Sequence, residues 1–136
     1  MGAWGVLAFD NDTANDWAYD LEDLNDLSLI EAALANVEAV GTNDYLDQDD
    51  ACCALAGCEV LARLRGKAGY NNAYTEKVDE WVASHPLVPS PDLLIRAGKV
   101  IDRILGKNSE LRILWEEGDA AEWLASVEDL RLRMRG

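Results

Sequence analysis

The sequence predicts an all-α protein, a compact bundle of about six to seven helices around a buried central helix. Three observations predict it. Apolar residues recur at a spacing near 3.6 along most of the 136 residues, helix start and stop signals fall between the periodic runs, and neither an Asn-Gly hairpin nor an alternating β-branched run appears. With 49% of its residues apolar, a chain of one domain's length can bury its own core without disulfide staples.

Ala14, Trp17, Ala18, Leu21 and Leu24 form the stripe of a first helix, with Asn15, Asp16, Asp20 and Glu22 on its other faces. Asp10 or Asp12 is placed to cap it. Ser28 followed by Glu31 reads as a capping box for a second helix, whose Ile30, Ala33, Leu34, Val37 and Val40 face inward until Gly41 stops it. The third segment, Asp49 to Leu64, is apolar nearly all round from Ala51 onward, with only Glu59 and Arg63 interrupting at i,i+4 spacing. A helix apolar on every face belongs at the centre of a bundle, and Ala51, Ala54, Ala56 and Gly57 would let neighbours approach closely. Gly66 and Gly69 end it.

A fourth helix carries Tyr74, Val78, Trp81 and Val82 on one face and ends before Pro86, in the turn-rich HPLVPSP that is the sole candidate for a linker. Ser90 and Pro91 then supply the N-cap and first position of a fifth helix, with Leu94, Ala97, Ile101, Ile104 and Leu105 inside and Gly106 at its close. A short sixth helix runs from Ser109 to about Glu117 with Leu111, Leu114 and Trp115, and Gly118 ends it. Asp119 with Glu122 reads as another capping box, opening a last helix with Trp123, Leu124, Val127 and Leu130 inside. Arg131, Arg133 and Arg135 complement the dipole at its end.

The charge is segregated. Of 26 acidic residues, 14 precede the first basic residue, Arg63, whereas residues 63–136 hold 12 acids and 12 bases, so the net charge of -14 resides in the first 62 residues. Such a chain lacks the cationic stripe that releases phosphate counterions, which excludes direct binding to nucleic acid or an anionic membrane and makes a basic protein the expected partner. No apolar run approaches a membrane span, the opening lacks a signal peptide's basic region, and Cys52, Cys53 and Cys58 show no paired spacing, so a reducing cytosol is expected.

Four groups of residues have the composition of a chemical site, and each has a plainer structural role. DNDTANDWAYDLED has the acid density of a calcium loop but lacks its central glycine and terminal glutamate, and Ala14 with Trp17 imposes helical periodicity. Asp44, Asp47, Asp49 and Asp50 could hold magnesium, alone or with Asp10 and Asp12. Helix amino-termini already favour such acids by roughly 0.3–1 kcal/mol each. His85, the sole histidine, has no partner at ligand spacing and reads as a helix-end residue. The cysteines neighbour acids and apolar residues, which raise rather than lower a thiol pKa. No phosphate-cradling loop, G-x-S-x-G or dinucleotide fingerprint is present, and no cofactor or catalytic residue is expected.

Met1 to Gly5, Phe9 to Asp12, Asp16 with Trp17, then Ser109 to Arg112 and Leu114 to Glu117, carry a resemblance that spans nearly the whole chain. It resembles a small bacterial family known as domain of unknown function 4259, from whose pattern Leu7-Ala8 departs. The resemblance implies a shared fold and brings no activity, cofactor or catalytic residue. Gly2 and Gly5 around Trp4 permit an irregular backbone that tucks the indole inward, and Trp4, Phe9 and Trp17 are expected to pack together, over Trp115 or Trp123. A groove in this region, at Trp4, Asp10, Asn11, Asp12, Asp16 and Trp17, is the candidate binding site.

Three functional readings follow. The first is a non-enzymatic module, like an immunity protein or inhibitor, whose acidic half engages a basic partner; a DNA-mimicking inhibitor is its sharper form. The second is a metal-dependent hydrolase or nucleotide-binding enzyme built on the early aspartates. The third is a structural or regulatory subunit that oligomerises through exposed tryptophans.

Overall fold

The computed structural model describes Ala3 and residues 5–135. The described chain forms seven helices: α1 (Asp12–Leu21), α2 (Ser28–Glu38), α3 (Gln48–Leu64), α4 (Glu76–Ser84), α5 (Pro91–Leu105), α6 (Glu110–Glu116) and α7 (Ala121–Met134). Among the described residues there is no strand, only isolated bridges pairing Ala3 with Asn11 and Leu46 with Ser109. The protein is the all-α bundle the periodicity predicts.

Every other helix packs against α3. From Ala51 to Arg63 only Cys53 of this helix is not buried, so its nearly all-round apolarity is satisfied by a shell of neighbours. At Gly57 an added Cβ would lie 3.3 Å from Ile30 Cγ2 and 3.7 Å from Trp17 Cζ2, which shows why α1 and α2 can both cross there. Arg65 and Gly66 then close α3: Gly66 takes φ +77°, its N–H donates to Arg63 O at 2.9 Å, and the Lys67 N–H donates to Ala62 O at 3.0 Å. These paired bonds satisfy the last carbonyls, and the left-handed position between them calls for glycine.

The caps depart from expectation. Asn11, not Asp10 or Asp12, caps α1, its Oδ1 accepting from Ala14 N at 2.8 Å. Asp10 is unavailable because its carboxylate turns back to accept from Leu7 N, and Asp12 is already helical. Neither capping box forms. Asp26 Oδ1 accepts from the N–H and hydroxyl of Ser28, and Asp119 Oδ1 accepts from Ala121 N at 2.9 Å, so in both places an aspartate two residues upstream completes a local turn. The inward faces shift slightly as well. Tyr74 precedes α4 and is exposed, while Leu124 flanks the Trp123, Val127, Leu130 and Met134 stripe of α7 and is exposed too.

HPLVPSP does not behave as a linker. His85 stacks on Trp81 with ring centroids 4.6 Å apart and bridges Trp81 O and Asn25 Oδ1 at 2.9 Å each, and Pro89 is buried. Helices from both sides of this segment pack on α3. No helix among the described residues is long and apolar enough to cross a membrane.

Candidate functional site

The segment before α1 is held by its own side chains. Asp10 Oδ2 accepts from Leu7 N at 3.1 Å, Asn15 Nδ2 donates to Phe9 O at 2.8 Å, and Ser126 Oγ on α7 donates to Val6 O at 3.0 Å. Phe9 is fully buried beneath this loop. A Cβ at Gly5 would collide with the Asp10 carboxylate, so the glycine is there for a close approach.

Between this loop, the start of α1 and helices α3, α6 and α7 lies a cavity of about 340 Å³. Leu55, Leu111, Val127 and Leu130 form apolar walls together with Trp115 and Trp123, whose rings stack at 6.1 Å and 9°. Exposed Asp12, Asp49 and Asp129 stand at its edge, and Glu59, Tyr70 and Arg133 also line it. Apolar walls with a few convergent polar groups are the usual character of a ligand pocket, and the volume lies within the usual range.

The buried polar groups form a chain of alternating charge. Fully buried Glu59 pairs with Arg63 at 3.4 Å and with Arg133 at 2.9 Å; Arg63 reaches on to Asp79 at 2.6 Å, and Arg133 to Asp129 at 2.9 Å. Arg63 also lies 4.9 Å above the Tyr70 ring. A buried carboxylate needs this compensation, since unpaired it would lose its hydration without replacement. Arg133, read from the sequence as a dipole partner, instead folds back onto the central helix. Burial, reinforced by Glu59, pushes the Tyr70 phenol above its ordinary range. Its hydroxyl makes no well-formed hydrogen bond among the described residues, although the Phe9 backbone lies near it.

The three cysteines are free. Burial, with smaller contributions from nearby thiol and carboxylate charges, pushes Cys52 up to about 12 and Cys53 up to about 11. Cys58 is driven up by burial and Glu59. None carries the lowered pKa of a catalytic nucleophile.

The structure divides the sequence-predicted site. Asn11 and Asp12 line the cavity, whereas Asp10 braces the loop, Asp16 is exposed on α1, and Trp17 is buried in the core against Gly57. Trp4 lies outside the described residues. Of the other aromatics expected to pack with it, Phe9 and Trp17 are both buried in the core, Trp115 and Trp123 stack together, and no ring stacking joins Trp17 to that pair among the described residues; Trp81 pairs with His85. Since Trp17, Trp81 and Trp123 are buried and Trp115 is half-buried, oligomerisation through exposed tryptophans loses its premise for these four. The two acidic clusters do meet, where Thr13 Oγ1 donates to Asp49 Oδ1 at 3.1 Å. Among the described residues, however, no three acidic, histidine or cysteine side chains converge to hold a metal ion, because the aspartates spread along two helix starts.

Sequence reasoning missed Tyr70, Arg133 and Asp129. The one available signal was Glu59, an acid in an otherwise apolar helix that needs more cationic company than Arg63.

The model of the family described as Domain of unknown function (DUF4259) matches residues 2–126, which include both signature segments apart from Met1. No curated protein and no solved structure matches the chain. The match extends over most of the chain, and the protein belongs to the domain of unknown function 4259 family.

Proposed function

We propose that this protein is a non-enzymatic binding module whose acidic first half engages a basic protein, in the manner of an inhibitor or immunity protein. One observation carries the reading. Of the 14 acids before Arg63, only Glu22, Glu38 and Glu59 form ion pairs among the described residues, leaving 11 without one. The arginines of α7 leave them so, because Arg131 engages Asp102 and Glu128 while Arg133 engages Glu59 and Asp129. Uncompensated carboxylates sustain a negative potential that speeds encounter with a cationic partner and rejects anionic ones. The reading takes the protein to be cytosolic, which three free cysteines support.

Capture from a lysate of the source organism tests it. Proteins retained at low ionic strength should be basic and should elute as salt rises, because the Debye length contracts to about 8 Å at physiological ionic strength. Retention of only neutral or acidic proteins, or elution indifferent to salt, would contradict it.

A further inference from the structure

We infer that the cavity between the opening loop and helices α1, α3, α6 and α7 receives one apolar side chain of the basic partner, whose adjoining lysine or arginine meets Asp12 and Asp49. This deepens the proposed function and rests on it.

Three features of the site select this occupant. Its walls are apolar and aromatic, with Leu55, Leu111, Trp115 and Trp123 facing one space, so desolvating a large apolar group there is favourable. Glu59 cannot serve as the receptor for a cation, since Arg63 and Arg133 already neutralise it in the interior. Charge complementarity is therefore available only at the edge, where Asp12 and Asp49 are exposed and have no ion pair among the described residues. An apolar anchor inside a charged edge matches the usual arrangement of strong interface residues, a desolvated centre ringed by contacts that exclude water. The buried Tyr70 hydroxyl adds a polar group with no well-formed bond, which can meet a backbone group at the base of the anchor.

Three short peptides serve as probes: acetyl-Lys-Lys-Phe-Lys-Lys-amide, the same with serine for phenylalanine, and acetyl-Ser-Ser-Phe-Ser-Ser-amide. Affinity is read by calorimetry at low ionic strength, and insertion by the emission of the indoles that line the cavity. The lysine-phenylalanine peptide should bind about tenfold or more tightly than either control, a difference of about 1.4 kcal/mol, and should shift the indole emission. Asp12→Lys should weaken both lysine peptides. Ala8→Phe, at the cavity wall, should erase the preference for phenylalanine while leaving the serine peptide unaffected. If that variant misfolds, the wild-type comparison and emission still decide. Equal binding of the two lysine peptides without an emission change would overturn the cavity assignment and leave the basic-partner reading intact. Neutral peptide binding as tight as the lysine-phenylalanine peptide would overturn the role of the edge carboxylates, and failure of both lysine peptides would overturn both readings.

Discussion

Gly57 and Glu59 sit two residues apart on α3 and limit substitution for opposite reasons. At Gly57 the constraint is volume. With Ile30 Cγ2 3.3 Å from an added Cβ, Gly57→Val forces α2 away from α3 and should destabilise by about 1–3 kcal/mol in chemical denaturation. At Glu59 the constraint is charge. Glu59→Ala leaves Arg63 and Arg133 facing each other across a buried gap and should cost about 3–5 kcal/mol, more than Arg133→Ala, since the Arg133 side chain is partly solvated and Arg63 still pairs with Glu59 when it is gone. The buried Cys52 and half-buried Cys53 thiols set the alkaline limit. Cys53 and Cys52 keep their protons to about 11 and about 12, whereas the unfolded chain releases them near 9.0, so unfolding discharges protons and stability falls as pH rises from about 9 toward 11. Tyr70, raised in the same direction, extends that fall. Denaturation midpoints across this range should decline, and Cys53→Ala should flatten the decline. A midpoint that rises with pH would contradict the burial account.

At the scale of the elements, periodicity located all seven helices because side chains three and four apart share a face whatever lies opposite. Helix starts were less legible. Asn11 caps α1 although its acidic neighbours are equally good cap residues, and nothing in the sequence shows that Asp10 is already engaged by Leu7 N. The start of α3 is the clearest case. Asp47 occupies the cap position without a side-chain cap bond, and Glu110, 62 residues away, accepts from Gln48 N at 2.9 Å. That contact depends on the bridge between Leu46 and Ser109, a tertiary event no local pattern encodes. Glu110→Ala should therefore lower stability by about 0.5–2 kcal/mol, the usual worth of a cap, although residue 110 lies outside α3. An unchanged denaturation midpoint would place the helix start under the control of Asp47 instead.

For the whole molecule, the charge segregation was fully legible and the cavity was not. Counting acids before Arg63 needs no coordinates, whereas the cavity is assembled from five segments between Ala3 and Arg133. Among the described residues of the expected site, only Asn11 and Asp12 lie on it, because the helical turn after Asp12 carries Asp16 to solvent and Trp17 to the core. Surplus charge of this size also bears on stability. Self-repulsion among carboxylates opposes the folded state and is screened by salt, so the thermal midpoint should rise between dilute buffer and physiological ionic strength. A falling midpoint would mean that attractive pairs outweigh the repulsion.

The most direct measurement compares two variants of equal charge in the capture experiment. One carries Asn at Asp12, Asp16, Asp20 and Asp23; the other removes four charges from the second half through Glu76→Gln, Glu80→Gln, Asp92→Asn and Glu122→Gln. All eight residues are exposed. If early carboxylates form the binding surface, the first variant loses the basic proteins that the wild type retains while the second keeps them. Equal loss from both, or retention by the first alone, would contradict the assignment of partner binding to the first half.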